Sequence, residues 1–324
     1  MPLHRRQFIR WSALTAAWTA AGFPVSRLSA AASAPKIAET VRLGFFTDVH
    51  AREDEKPGEN IARDLQTIAA RINEMDTDLL IGGGDFIHGG YVVGKEKGAV
   101  RSKVFLEDFY KKLDRRPQLM IGNHDHIAAT PRDGTAPAAD PKEDFCRRFG
   151  LEQTYQHFNY KGIDFILLDS LRFDNVPEDL DRDYWGQVHP AQLAWLDTVL
   201  ADISQHSPIV LCTHVPMVSK QIQLLRMARQ PVPGSLGVPN TEDVLARFEG
   251  RANPVLVLEG HLHRNEDLNV KDVRYIMGGA VCGAWWNGAR DGTEEGFGEI
   301  TLSPEGIAYR YIDAGIQRSG KSPY

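Results

Sequence analysis

Cysteine is scarce in this chain. Three residues in 324, Cys146, Cys212 and Cys282, do not make a disulfide framework. Cys212 sits inside the apolar run Ile209-Val210-Leu211-Cys212, which marks it as a small buried hydrophobe rather than a ligand. An excess of positive charge is also missing, with 37 Lys and Arg against 43 Asp and Glu. Four of the arginines fall in residues 1–34, which hold no acid, so residues 35–324 carry 33 basic and 43 acidic side chains, a net charge of −10. Such a body has no bulk attraction for nucleic acid or an anionic membrane. No internal repeat and no low-complexity linker follows residue 40, so residues 35–324 read as a single domain. The apolar stretch from Trp11 to Pro24 is too short for a comfortable membrane span. What remains is ordinary globular composition, 42% hydrophobic and 25% charged, enough for a sizeable core.

That apolar stretch follows His4-Arg5-Arg6-Gln7-Phe8-Ile9-Arg10 and precedes the small-residue tract Ser29-Ala30-Ala31-Ala32-Ser33-Ala34. Paired Arg, a spacer, Phe, an aliphatic residue and a base, then an apolar stretch and small-residue cleavage sites, resemble a twin-arginine export signal. The resemblance implies that residues 1–34 are a signal peptide, that the twin-arginine export machinery is a partner, and that the mature protein is periplasmic or secreted.

Strand and helix signals alternate through the first half, which points to a layered α/β fold. Residues 59–74 place Ile61, Leu65, Ile68, Ala69 and Ile72 on one helical face, and residues 101–114 and 190–201 predict two more helices. Residues 155–160 and 163–168 form a hairpin around Lys161-Gly162. A short helix ends at Gly150, a C-cap, and Asn240 or Thr241 caps another that runs to Phe248. Residues 217–239, closed by Pro231, Pro233, Gly234, Gly237 and Pro239, read as an irregular excursion, either a lid or a surface loop. The C-terminal part is antiparallel in character, over 268–277, 298–302 and 307–312.

Five short apolar runs end in Asp, Asn or His. Leu43-Gly44-Phe45-Phe46 leads to Asp48 and His50, which on an extended chain point the same way. Leu79-Leu80-Ile81 leads to Gly84-Asp85, and Leu119-Met120-Ile121 to Gly122-Asn123-His124-Asp125. Ile209 to Cys212 leads to His214, and Val255 to Leu258 leads to Gly260-His261-Leu262-His263. In open α/β sheets, sites form outside the carboxyl ends of such strands. Carboxylate, imidazole and amide oxygen suit two hard or borderline divalent ions, Mn, Fe or Zn, with a carboxylate such as Asp85 bridging them. Such a pair clamps the attacking and leaving oxygens of an in-line displacement and supplies hydroxide at neutral pH, so no protein nucleophile is required.

Taken in order, these blocks resemble the calcineurin-like metallophosphoesterase superfamily over roughly residues 41–265. The resemblance implies a four-layer α/β/β/α sandwich of two mixed β-sheets flanked by helices. It implies one ion held by Asp48, His50, Asp85 and His263, and a second held by Asp85, Asn123, His214 and His261. It places His124 against the substrate phosphate, protonating the leaving oxygen or stabilising charge. Many members carry an acid three residues after the bridging Asp that orients this histidine; here the residue is His88, leaving Asp125 or water as candidates. The reading that follows is a small-phosphoester hydrolase. The spacing before His214 and the segment Tyr184-Trp185-Gly186 to Leu196 resemble bacterial phosphodiesterases of the cyclic-nucleotide and glycerophosphodiester group. A phosphomonoesterase is the nearest alternative, and a periplasmic binding protein with metals but no catalysis is the alternative of a different class. Residues 278–288, rich in Gly and holding Trp285 and Trp286, read as a tight turn with core tryptophans or as an aromatic wall beside the metals. His88 and His126 read equally as site contacts or loop residues, Arg290 as a second-phosphate contact or a solvated charge, and His157, His189 and His206 as structural or exposed.

Overall fold

The computed structural model describes residues 37–316 apart from 179–181, 250 and 252–254; the expected signal peptide at 1–34 lies outside the described residues. In chain order the elements are β1 (Val41–Phe46), α1 (Ile61–Asn73), β2 (Leu79–Gly82), α2 (Lys95–Asp108), β3 (Gln118–Leu119), α3 (Glu143–Phe149), β4 (Gln156–Tyr160), β5 (Ile163–Leu168), β6 (Leu171–Arg172), β7 (Trp185–Gly186), α4 (Pro190–Asp202), β8 (Ile209–Thr213), α5 (Lys220–Met227), α6 (Thr241–Ala246), β9 (Leu256–Glu259), β10 (Asn265–Val270), β11 (Val273–Gly278), β12 (Gly296–Ser303) and β13 (Gly306–Asp313).

They form two large mixed sheets. The first has the order β13-β12-β1-β2-β3, with β1, β2 and β3 parallel, β12 antiparallel to β1, and β13 antiparallel to β12. The second has the order β10-β11-β9-β8-β5-β4, with β5, β8, β9 and β11 parallel and an antiparallel strand at each edge. Alternation along β1 separates two cores. Val41, Leu43 and Phe45 face the second sheet and pack with Phe165, Val210, Cys212 and Leu258, while Phe46 packs under α1 and α2 with Leu65, Ile68, Phe105 and Phe109. On the far side α4 and α6 cover the second sheet through Leu193, Leu196 and Val244. The result is the expected α/β/β/α sandwich. No described helix is long and apolar enough to cross a membrane.

Local chemistry explains the element ends. Asn60 caps α1 by accepting the Arg63 N–H, and Ile61, Leu65, Ile68 and Ile72 behind it are buried. Gly150 closes α3 with φ 67°. The expected helix at 101–114 in fact starts at Lys95 and ends at Asp108; Gly98 in its first turn hides that start from a propensity reading. The excursion 217–239 is not wholly irregular. Residues 220–227 are helical, with Ser219 as the cap, but Leu224 and Met227 face solvent and blur the apolar stripe. The expected run 268–277 is the β10–β11 hairpin, turned at Lys271-Asp272, both in the left-handed region.

Candidate metal centre

The parallel strands β1, β2, β3, β8 and β9 deliver their C-terminal loops to one place, and all seven expected ligands meet there. Asp48, His50 and Asp85 offer one ligand atom each within 4.8 Å of one another, and so do Asp85, His214 and His261. Asp85 belongs to both groups. Asn123 joins the second, its Oδ1 lying 3.2 Å from His214 Nε2 and 3.1 Å from His261 Nδ1. His263 joins the first, its Nε2 lying 3.3 Å from Asp48 Oδ1 and 3.0 Å from His50 Nε2.

The side chains do not arrive as strand alternation predicts. β1 ends at Phe46, and Asp48 and His50 then take φ of 55° and 45°. Asp85, His261 and His263 are also left-handed, at 56°, 75° and 56°. Five of the seven groups therefore hold a backbone conformation uncommon for residues with a side chain, and such strain clusters at functional sites. Close approach adds to this: a Cβ on Gly122 would stand 2.2 Å from Asp85 N and from its Oδ1, so only glycine lets the β2 and β3 loops touch.

Hydrogen bonds fix which nitrogen each imidazole presents. His214 Nδ1–H donates to the Gly83 carbonyl at 2.7 Å, His263 Nδ1–H to Gly283 at 2.6 Å, and His261 Nε2–H to Ser235 at 2.7 Å. A carbonyl only accepts, so in the neutral form the other nitrogen of each ring carries the lone pair and faces the cluster, the usual arrangement of a metal-ligating histidine. His50 presents Nε2 inward, while its Nδ1 lies 3.3 Å from His88 Nδ1. Asp48 Oδ2 accepts from Thr47 Oγ1 and the His261 N–H, whereas its Oδ1 is buried with no hydrogen-bond partner. A buried carboxylate oxygen facing two ring nitrogens 3.3 and 3.9 Å away needs a positive charge beside it, and a cation held between them supplies one. The donors of the two groups are oxygens and imidazole nitrogens, which suit borderline divalent ions; the Cys282 thiol lies 3.7 Å from His263 on its Nδ1 side, the side turned to the Gly283 carbonyl.

The charges are tightly linked. Burial raises the Asp85 carboxyl, but His214 and His124 outweigh it and hold it well below the usual carboxylate range. Burial opposes charge on His214 too, yet Asp85 beside it pushes the imidazole up to about 9. His261, by burial and the nearby His214, falls to about 4, and His88, by burial and His124, to about 3.

The residue that sets the two loops is Asp125, which sequence reasoning offered only as a partner for His124. Its carboxylate instead accepts the backbone N–H groups of Asp85, Phe86, Ile87 and Gly122, at 2.8 to 3.2 Å. It thereby bolts the Asp85 loop to the Asn123 loop. His124 is oriented by a group with no side-chain signature: its Nδ1 accepts the Gly89 N–H at 2.6 Å. His88 holds His50 and does not replace the missing acid.

The cleft above the cluster measures about 760 Å³. One wall is Tyr91 and Tyr184; the Tyr91 ring stands 5.2 Å from His124 and Tyr184 6.1 Å from His261. Trp285 also lines the cleft, 4.5 Å from His263. Both readings of the tryptophan turn hold, one for each residue. Trp286 is buried and donates its indole N–H to the His50 carbonyl, whereas Trp285 lines the cleft. Residues 231–236 of the excursion line it as well, while Lys220, Arg226 and Arg229 point to solvent. His126 is buried, donates its Nδ1–H to the Gly122 carbonyl, and lies against Phe173 outside the cluster. His157 pairs with Asp164, His189 caps α4, and His206 is exposed, all away from the site.

Known proteins place this geometry. The calcineurin-like phosphoesterase family model matches residues 41–265. Among solved structures the fold is similar to a dimetal phosphatase from Danio rerio, with 14% identity over 86% of this chain and 97% of that one, at a TM-score of 0.58. It is similar to GAP50, described as the anchor in the inner membrane complex of Plasmodium, with 14% identity over 88% and 87% and a TM-score of 0.51. It is also similar to a putative 5'-nucleotidase from Staphylococcus aureus, with 16% identity over 85% of this chain and 54% of that one, at 0.51. No curated protein matches significantly. With its family model spanning the strands and loops that build the cluster, the chain belongs to the calcineurin-like phosphoesterases and is a phosphoester hydrolase.

Proposed function

We propose that the chain cleaves phosphodiesters at a centre of two divalent ions, of the Mn, Fe or Zn class. Asp48, His50, Asp85 and His263 hold one ion, and Asp85, Asn123, His214 and His261 hold the other. The observation that carries this reading is the pair of ligand groups that share Asp85. When bound, the ions supply Lewis acidity, neutralising phosphoryl charge and acidifying water.

The chain's own part is placement and charge stabilisation. The carbonyls of Gly83, Ser235 and Gly283 fix the imidazole tautomers, and Asp125 holds Asp85 opposite Asn123. His124 points Nε2 toward the cluster, 3.9 Å from Asp85 Oδ2. Because the Gly89 N–H occupies Nδ1, the neutral ring carries its proton on Nε2. An imidazolium would set two N–H groups against each other, and burial lowers the pKa of this ring further. His124 therefore donates a hydrogen bond to charge developing on the phosphoryl or leaving oxygen, rather than surrendering a proton outright.

Aromatic rings stand beside both ligand groups, Tyr184 by His261 and Trp285 by His263, in a cleft of about 760 Å³ that is larger than a phosphoryl group needs, which supports a diester over a monoester. The test is turnover of bis(4-nitrophenyl) phosphate against 4-nitrophenyl phosphate with added Mn. A higher kcat/KM on the diester is expected; a higher value on the monoester returns the function to a phosphatase or nucleotidase. We also propose that residues 1–34 direct twin-arginine export, supported by Arg5-Arg6 and the small-residue tract. A cytoplasmic, uncleaved protein on fractionation overturns that part.

A further inference from the structure

Glu259 is an acid at the end of an apolar run, Val255-Leu256-Val257-Leu258, and it is fully buried where β9 stops. A buried carboxyl is costly unless its oxygens are bonded. Oε1 accepts the backbone N–H groups of Met217 and Val218, at 2.7 and 3.1 Å. Oε2 is buried with no hydrogen-bond partner among the described residues. The cost is met to hold one short stretch of backbone, where the chain leaves the His214 loop and enters the 217–239 excursion. Glu266, also buried, holds the next turn by accepting the Lys220 N–H at 2.7 Å.

The far end of the excursion depends on that stretch. The Met217 N–H and the Pro216 carbonyl belong to one planar peptide unit. Glu259 grips the N–H, and the carbonyl accepts the Val238 N–H at 3.1 Å. Turning the unit would break both bonds. Val238 stands three residues after Ser235, whose carbonyl accepts His261 Nε2–H at 2.7 Å. Gly186 seats the same limb from outside, donating its N–H to the Gly234 carbonyl at 2.7 Å. The path starts at Glu259, crosses the root of the excursion, and returns to an imidazole two residues from where it began. His261 has an alternative. Its Nδ1 lies 3.1 Å from Asn123 Oδ1, so the other tautomer would aim Nδ1–H at that oxygen and close the ligand position.

We propose that Glu259 is a positioning residue for the ion among Asn123, His214 and His261. By fixing the Pro216–Met217 peptide it sets the Ser235 carbonyl on His261 Nε2–H and keeps Nδ1 bare for the ion. The ion rests on the two-metal reading above, whereas control of the tautomer stands on the hydrogen bonds alone.

The tautomer is read from the imidazole nitrogen chemical shifts of His261, in isotope-labelled, metal-free full chain at neutral pH. The wild type should show Nε2–H alone, and Glu259→Ala should show a mixture with Nδ1–H. Glu259→Gln keeps an oxygen for the Met217 and Val218 N–H groups and should return the ring to Nε2–H. Manganese calorimetry supplies the second readout, with anomalous peak heights at limiting metal assigning each ion. Glu259→Ala should weaken the ion at His261 by about ten- to a hundredfold and leave the other within about twofold. A His261 ring that stays wholly Nε2–H in Glu259→Ala, or a loss shared equally by both ions, overturns the proposal. If Glu259→Ala does not fold, Val238→Pro cuts the same path by removing the Val238 N–H and must give the same mixture; a pure Nε2–H ring there overturns it too. If the wild type takes up no manganese, the two-metal reading fails by itself, and the nitrogen shifts still decide the role of Glu259.

Discussion

Trp285 and Trp286 are neighbours in sequence and belong to different regions of the site. Trp286 belongs to the floor, where Asp48, His50 and His214 are wholly buried and each imidazole that meets a carbonyl is fixed in one tautomer. Trp285 belongs to the rim, where the Arg264 and Arg290 side chains keep 30% and 25% of their surface exposed. The floor rises from strand ends inside a sandwich, so its geometry comes from the sheets. The rim comes from loops, chiefly the 217–239 excursion and the 280–291 turn, with Tyr91, Tyr184 and Arg264 beside them, so its geometry comes from local backbone. Chemistry that demands fixed charges suits the first, and we propose that selection among substrates falls to the second.

Substitutions should break this contrast in graded fashion. Asp85→Asn removes the one carboxylate common to both ligand groups. Turnover should fall by at least about 10³-fold and bound metal should drop from two ions to one or fewer, by elemental analysis. His124→Ala should lower kcat by about 10²- to 10³-fold while metal content stays at two, because it removes a donor aimed at developing charge and no ligand. Trp286→Ala should destabilise the fold by about 3–5 kcal/mol in denaturant melts, through lost burial and an orphaned His50 carbonyl. Trp285→Ala should leave the melt nearly unchanged and raise KM several-fold; equal effects of the two tryptophan changes on stability would erase the distinction between floor and rim.

The smallest effect expected lies outside both regions. Glu59 accepts two hydrogen bonds from Arg52, and this hydrogen bonding lowers its carboxyl from 4.5 to about 2, with burial opposing. A folded pKa below the unfolded one means stability that is full above pH 4.5 and is lost as pH falls toward 2. Glu59→Gln should therefore cost on the order of 1 kcal/mol at pH 7 and nothing near pH 2, in melts across that range.

The floor was legible in the sequence because each ligand follows an apolar run and buried parallel strands end abruptly. Alternating strand and helix signals pointed to a layered α/β fold, and the α/β/β/α arrangement was implied by the family resemblance of the ordered ligand blocks. The contacts that hold the ligands in place, and much of the rim, were not. Gly89 orients His124 and Ser235 fixes His261 through backbone groups, which no residue type announces. Asp125 bonds four backbone N–H groups brought together only by folding. The helix at Lys220–Met227 exposes two of its apolar residues, and so carries no clear period. Even at the floor, the direction of Asp48 and His50 came from left-handed backbone rather than strand alternation, a choice made by the loops they join.

The most direct test is anomalous scattering from crystals grown with manganese. Two peaks are predicted, one among Asp48, His50 and His263, the other among Asn123, His214 and His261, with Asp85 between them. A single peak, or two peaks that do not share Asp85, would contradict the account.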